Sequence, residues 1–253
     1  MKEQRRLRPA GEGWEVETVP VEAETEPGGA DTVTVDVESV LLPAGGGGSG
    51  LWAGRDATSP GSFYAGWGPA VDRLTAPRAE VLALAGDGEA AGLVLAATAI
   101  VAALDQAGPT TRPLVLGQGL LGELVEAALA AKGVTPGPQE EALDLVVDTT
   151  GDPAAWRASL SRLRGEATVL LLVPPWSAPV DVNFYPHLHK RSLRTVARRW
   201  HRPPPEATAR SSEVVHEVVH EVVRRRWVEP LRPGAGPSRP GAWLQHRWEA
   251  RGD

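Results

Sequence analysis

Three places in the chain combine residue types and spacing that could do chemistry. The first is Gly117, Gly119 and Gly122, a G-x-G-x-x-G run that follows apolar residues 114–116 and precedes an apolar stretch with no proline before Pro136. That order predicts a strand, a tight turn and a helix whose free N–H groups can hold a phosphate. The first glycine turns the chain, the second leaves room for a pyrophosphate, and the third lets helix pack on strand. The second place is 183–190, where Asn183, Tyr185, His187, His189 and Lys190 form the densest polar cluster in the chain. Its groups can donate, accept or shuttle protons near neutral pH; the alternative is a domain or subunit contact in which the histidines do nothing chemical. The third is a literal H-E-x-x-H, His216, Glu217 and His220. On a helix its histidines lie one turn apart, the geometry by which zinc peptidases hold their metal. It sits inside the repeat EVVHEVVHEVV, however, in which any polar helix face generates the motif, so a solvated face opposite the valines is expected and no metal site is assigned.

The glycine run needs a sheet around it. "LDLVVDTTGDP" reads as a second strand and turn, with Thr149 and Thr150 at its end, and "ATVLLLVPP" as a third strand, the succession a parallel sheet requires. "RSLRTVARRW" reads as the strand that closes the sheet. "GEAAGLVLAATAIVAALDQAG" is an alanine-rich helix, apolar nearly all round and therefore buried. "HRPPPEATARSS" is a linker, and the helix after it takes Ser211 or Ser212 as N-cap.

Upstream the period changes. Residues 1–13 read as a frayed, basic start. "WEVETVPVEAE" and "DTVTVDVESVLL" then alternate as two antiparallel strands across a Pro27-Gly28-Gly29 turn, with Val33, Val35 and Val37 on one face. Residues 43–50 are a glycine-rich loop, and 51–71 read as loop-rich with four large aromatics, Trp52, Phe63, Tyr64 and Trp67. These either cover the β unit or line a substrate pocket. "AVDRLTAPRAEVLALA" holds two short strands, and 242–248 form a short strand able to join the N-terminal unit.

Composition narrows the classes. A chain of 253 residues, 42% hydrophobic, can bury a real core. A net charge of −6 with scattered arginines speaks against a nucleic-acid partner. No apolar run reaches the roughly 18 residues of a membrane span and no signal peptide is recognised, so the expected compartment is the cytoplasm. Cysteine is absent, which excludes disulfides, a thiol nucleophile and zinc sites built on thiolates.

The order of elements resembles the medium-chain dehydrogenase/reductase superfamily, the zinc alcohol dehydrogenases and their relatives. "GWEVETVPV" and "VTVDVESVLLPAGGGGSGLWAGR" look like that family's opening strands and the segment of its catalytic loop, where Ser49 keeps the serine and the cysteine is replaced within the glycine run. "VLGQGLLG" and "LDLVVDTTGDPAAWRASLSRLRGEATVLLLVP" are similar to its nucleotide domain. Two departures matter: almost nothing stands between Arg55 and Ser62, where the family has its zinc segments, and only "VTPGPQEEA" stands where it has a second strand, a helix and a third strand with the ribose-binding acid.

The resemblance implies an α/β fold: a reduced Rossmann-like parallel-sheet domain over 91–227 and a trimmed, GroES-like β-rich domain over 1–90 with tail 228–253. It implies a zinc-independent NAD(P)-linked oxidoreductase acting on a small organic substrate of specialised metabolism. Gly117, Gly119, Leu121, Gly122, Thr149 and Thr150 would hold the nucleotide, Tyr64, Tyr185 or His187 would handle a proton, and Ser49, Trp52, Trp67 and Asn183 would border the substrate. No zinc is expected, and a homodimer is left open. Two alternatives remain: a descendant doing cofactor-free acid–base chemistry (cyclisation, isomerisation or elimination), and a non-catalytic binding or scaffold partner.

Overall fold

In a computed structural model of the chain, residues 3–10, 13–20, 31–43, 48–59, 61–84, 91–136, 142–172, 185–204, 213–225, 227–232, 238 and 242–248 are described. The strands are β1 Glu3–Ala10, β2 Gly13–Pro20, β3 Thr32–Pro43, β4 Ser49–Asp56, β5 Phe63–Pro69, β6 Arg73–Pro77, β7 Leu82–Leu84, β8 Pro113–Leu116, β9 Leu143–Asp148, β10 Leu163–Leu171, β11 Arg194–Ala197, β12 Val228–Pro230 and β13 Trp243–Arg247. The helices are α1 Ala91–Ala107, α2 Leu120–Ala131, α3 Pro153–Leu160 and α4 Glu213–Arg224, with a 3-10 turn at Arg78–Glu80 and a π-helical turn at Tyr185–His189. Three sheets result: the β1–β2 hairpin, a parallel sheet in the order β11-β10-β9-β8, and a sheet in the order β12-β13-β3-β4-β5-β7 with β6 also on β3. The mixed α/β class, with a parallel sheet beside a β-rich part, is as expected. No helix among the described residues is long and apolar enough to cross a membrane.

Two local readings are corrected. β2 pairs with β1 and not with β3, so the start of the chain is ordered as a strand. The reason is charge: "EQRRLRPA" is basic, "GWEVETVP" is acidic, and their register sets Arg6 against Glu17 and Arg8 against Glu15, both ion-paired. The hairpin is seated by buried Leu7 and Trp14, by Leu7 N–H donating to the Ala70 carbonyl (2.8 Å), and by Arg5 on Asp72 (2.8 Å).

The second correction is at 51–71, which forms strands β4 and β5. Their glycines read as loop signals but answer close approach. A Cβ on Gly54 would fall against the Asp36 carbonyl and 2.7 Å from Val37 Cα, beside a register shift in the β3–β4 ladder; one on Gly66 would enter the Trp52 ring. Glycine is what lets neighbouring strands and an indole come so near.

Packing then fixes the layers. α1, apolar all round, lies between the two large sheets, and its Leu93, Leu95, Ala96 and Ile100 join one continuous core with Leu51 and Ala53 of β4 and with Leu145 and Leu170 of the parallel sheet. α2 and α4 share that side. α4 buries Val215, Val218 and Val222 and leaves His216, Glu217 and His220 exposed, while Arg225 just past its end reaches Glu123 of α2 at 2.9 Å. On the other face of the parallel sheet, α3 packs Trp156 and Leu160 on Val146 and Val169, and the π-helical turn adds Leu188.

The chain steps the same way along the sheet from β8 to β9 to β10, yet α2 lies on one face and α3 on the other. Connections that step one way on opposite faces have opposite hands, so the β8–α2–β9 and β9–α3–β10 crossovers differ in hand, where parallel crossovers ordinarily share the right hand.

The entry to β8 is fastened by buried Asp144, which accepts from Thr111 N–H (2.9 Å), Arg112 N–H (3.0 Å) and the hydroxyls of Thr110 and Thr111. Burial pushes its carboxyl up, but the four donors outweigh burial and hold it below its ordinary value of 3.8. A folded pKa below the unfolded one gives stability that is present above the unfolded value and is lost as pH falls through the folded one. Acid titration of unfolding will therefore show wild type losing stability below pH 3.8. Asp144→Asn will be less stable at pH 7 and flatter in that acid range.

Candidate nucleotide-binding edge

Because its strands are parallel, the sheet brings their carboxyl ends to one edge: Gly117 after β8, Thr149 after β9, Leu172 after β10 and Arg198 after β11. Open α/β sheets bind ligands at that edge.

Gly117 adopts φ +116°, a region L residues rarely enter, and a Cβ there would run into the Thr149 hydroxyl and lie 2.9 Å from Thr150 Cγ2. A Cβ on Gly122 would lie 2.5 Å from the Gly117 carbonyl oxygen. The first and third glycines therefore serve the turn and the seating of α2 against β8. Gly119 (φ +108°, ψ −173°) is the N-cap of α2 and carries no side-chain cap. Its positive φ is a conformation that L side chains rarely adopt, and its place puts the backbone at the exposed N–H groups of the helix start. Leu121 is half-buried in the first turn of α2 and packs on the core.

Across the edge, Thr149 donates its hydroxyl proton to the Leu116 carbonyl (2.8 Å) and its N–H to the same oxygen (2.9 Å). Thr150 donates N–H and hydroxyl to Asp148 Oδ1, both at 2.8 Å, and Gly151 N–H adds a third bond to that oxygen at 3.1 Å. Asp148 is wholly buried. Both threonine hydroxyl protons are thus used within the protein, and the two residues brace the turn that a ligand would lie along.

The aromatic candidates divide by strand parity. Trp67 shares the core face of the β-rich sheet with Phe63, Leu51 and Ala53. Trp52, 1% exposed, and Tyr64 point to the opposite face, where Trp52 covers Gly66 and Gly68 and Tyr64 Oη accepts from Arg78 Nη1 at 3.1 Å. One cleft does not hold all of them. Ser49, half-buried, begins β4 opposite Pro69. Tyr185 is exposed, its ring 5.6 Å from His189. His187 lies in the same turn with its side chain outside the described residues, and Asn183 is outside them altogether. The glycine run with Thr149 and Thr150 is brought together; Tyr64 is placed away from it.

Sequence reading passed over Trp200 and His201, which follow β11 at the same edge. Trp200 is 5% exposed and packs edge-to-face on Trp67 (5.1 Å) and on Trp243 (5.6 Å). Their signal was the W-H pair straight after the last strand, obscured by its arginines. Among the described residues no group of three His, Asp or Glu is placed to hold a metal.

No protein-family model matches the chain, and no curated protein matches its sequence. Solved structures do match. Haloferax mediterranei glucose dehydrogenase in complex with NADP, Zn and gluconolactone is similar at TM-score 0.63 and 13% identity, covering 97% of this chain and 99% of that one. S. aureus TarJ in complex with NADPH is similar at 0.64 and 13%, covering 98% and 100%. A thermostable alcohol dehydrogenase from Pyrobaculum aerophilum is similar at 0.62 and 14%, covering 96% and 99%. The fold is that of the medium-chain dehydrogenases.

Trp200 holds this edge to the β-rich sheet, so Trp200→Ala should cost about 3–5 kcal/mol. Chemical denaturation followed by tryptophan fluorescence will measure it.

Proposed function

We propose that the protein is an NAD(P)-linked oxidoreductase of the medium-chain dehydrogenase type that works without zinc on a small organic substrate. The observation that carries this reading is Gly119, an uncapped glycine at φ +108° where a strand meets a helix, on the edge that a fold shared with NADP- and NADPH-bound dehydrogenases would use. A bound nicotinamide would supply the hydride acceptor or donor. Gly117 to Gly122 would hold the pyrophosphate, and the turn braced by Thr149, Thr150 and Asp148 would border the nicotinamide end. The lack of cysteine leaves no thiolate to ligate zinc, as a zinc-independent reaction and a reducing, cytoplasmic setting would suit. A substrate from specialised metabolism remains part of the proposal by analogy.

One feature favours the second reading, a descendant that performs acid–base chemistry without a nucleotide. The connection 132–142 between α2 and β9 is far too short for the strand–helix–strand that would carry the ribose-binding acid, since a βαβ unit alone takes about 30 residues. The adenosine half of a dinucleotide would therefore be held weakly, and most of the grip would come from the phosphates and the nicotinamide.

Titration of the purified chain with NADPH and NADH, followed by nicotinamide fluorescence and tryptophan quenching, decides between the readings. Saturable binding is expected, weakened at least about tenfold, or 1.4 kcal/mol, in Gly119→Val. Failure of both nucleotides to bind at about millimolar concentration, a binding free energy near −4 kcal/mol, overturns the dehydrogenase reading in favour of the second.

A further inference from the structure

Three indoles from three elements meet beyond the end of β11. Trp67 of β5, Trp243 of β13 and Trp200 lie with ring centroids 5.1, 5.6 and 6.2 Å apart, all edge-to-face. His201 rests on this knot, its ring 5.2 Å from Trp200 and 5.4 Å from Trp67. It is half-buried, and among the described residues neither ring nitrogen makes a hydrogen bond. One side of the imidazole is therefore aromatic, and no described residue bonds its nitrogens.

Among the described residues the charged groups around it come from two segments. Arg199 and Arg202 flank it in sequence, and Glu80, from the 3-10 turn after β6, pairs with Arg202 at 2.9 Å. Burial, then the two arginine charges, push the imidazole below its ordinary value of 6.5, against a weaker pull from Glu80. His201 is therefore neutral at pH 7 and able to take a proton. Other histidines are placed differently: His189, His216 and His220 are exposed, and His246 stacks on Trp248 in the part of the molecule where Arg5 seats the N-terminal hairpin.

We infer that His201 is the general base of the site, taking the hydroxyl proton of an alcohol substrate lodged against Trp67. This rests on the dehydrogenase reading. The O–H bond breaks and its proton goes to an imidazole nitrogen. A bound nicotinamide would take the carbon-bound hydrogen with its electron pair, leaving a carbonyl. In the reverse direction the imidazolium returns the proton to the carbonyl oxygen. Arg199 and Arg202 disfavour the imidazolium and so keep the group ready as a base; Trp67 and Trp200 hold its plane.

The test uses the charge that distinguishes the two redox forms. Ring ¹H–¹⁵N spectra of the labelled full chain, with His201 assigned through His201→Gln, are titrated from about pH 5 to 8, a window that brackets a histidine pKa. This is done for the free protein, with saturating NADP⁺ and with saturating NADPH. The expected midpoint in the free protein lies below 6.5. It falls further with NADP⁺ than with NADPH, because only the oxidised ring is cationic. In Trp67→Ala, which uncovers the imidazole, the free-protein midpoint rises towards 6.5. Equal His201 midpoints with the two nucleotides bound would overturn the inference and leave the dehydrogenase reading standing, as would a free-protein midpoint at or above 6.5. Failure of either nucleotide to bind overturns the dehydrogenase reading, and this inference with it.

Discussion

The close approach of Gly122 to the Gly117 carbonyl is the constraint on which the rest of the edge depends. With 2.5 Å between that oxygen and where a Cβ would sit, α2 can begin only where glycine occupies both positions. Moving α2 outward would open the turn, detach Thr149 from the Leu116 carbonyl and unseat Leu120, Leu124 and Val125 from the core they share with α1 and α4. Burial of those side chains, at about 25 cal/mol per Å² of apolar surface, outweighs the loss of conformational freedom that three glycines bring to the unfolded chain. Gly119 is different in kind. Its positive φ at the N-cap of α2 is what directs attention to a ligand there.

The change of hand between the two crossovers goes with the same seating. In a full doubly wound sheet, the helix after the glycine strand covers the face that leads outward to further strands, and only later does the chain cross back. Here the chain goes straight from α2 to β9, while α2, seated through Gly122 and its apolar side, lies on the face opposite α3. Connections that kept to one face would share the usual right hand.

How much of this was legible in the sequence depended on period. Strands β8, β9 and β10 and the buried helix α1 announced themselves as apolar runs, β11 as a short strand between arginines, and α4 as a valine stripe with His216 and His220 opposite it. The H-E-x-x-H therefore resolves into an exposed helix face. The β-rich part was harder. Glycines 54 and 66 carry the same letter whether they bend a loop or admit a neighbouring carbonyl or indole, and only the folded distances separate the two uses. The β1–β2 pairing was written in charge and not in hydropathy, as Arg6 and Arg8 opposite Glu17 and Glu15. For the site, spacing reveals a glycine turn but cannot reveal which aromatics share a face. Tyr64 and Trp67 are three apart on one strand, which puts them on opposite sides of the sheet.

That parity decides where proton chemistry can happen. Trp67 points to the side on which the parallel sheet packs, and among the described residues Trp200 and His201, just after β11, reach it from the carboxyl edge. The Trp200 indole nitrogen is buried with no hydrogen-bond partner among the described residues. Leaving a buried donor unpaired costs about 1–3 kcal/mol, while an edge-to-face pair contributes about 0.5–1.5 kcal/mol beyond the area it buries. Trp200 makes two such pairs, with Trp67 and with Trp243, and they offset the bare nitrogen while keeping the seam apolar. An apolar seam in turn is what disfavours a charged imidazole beside it. The contact that joins the two sheets and the contact that holds His201 neutral are therefore the same one.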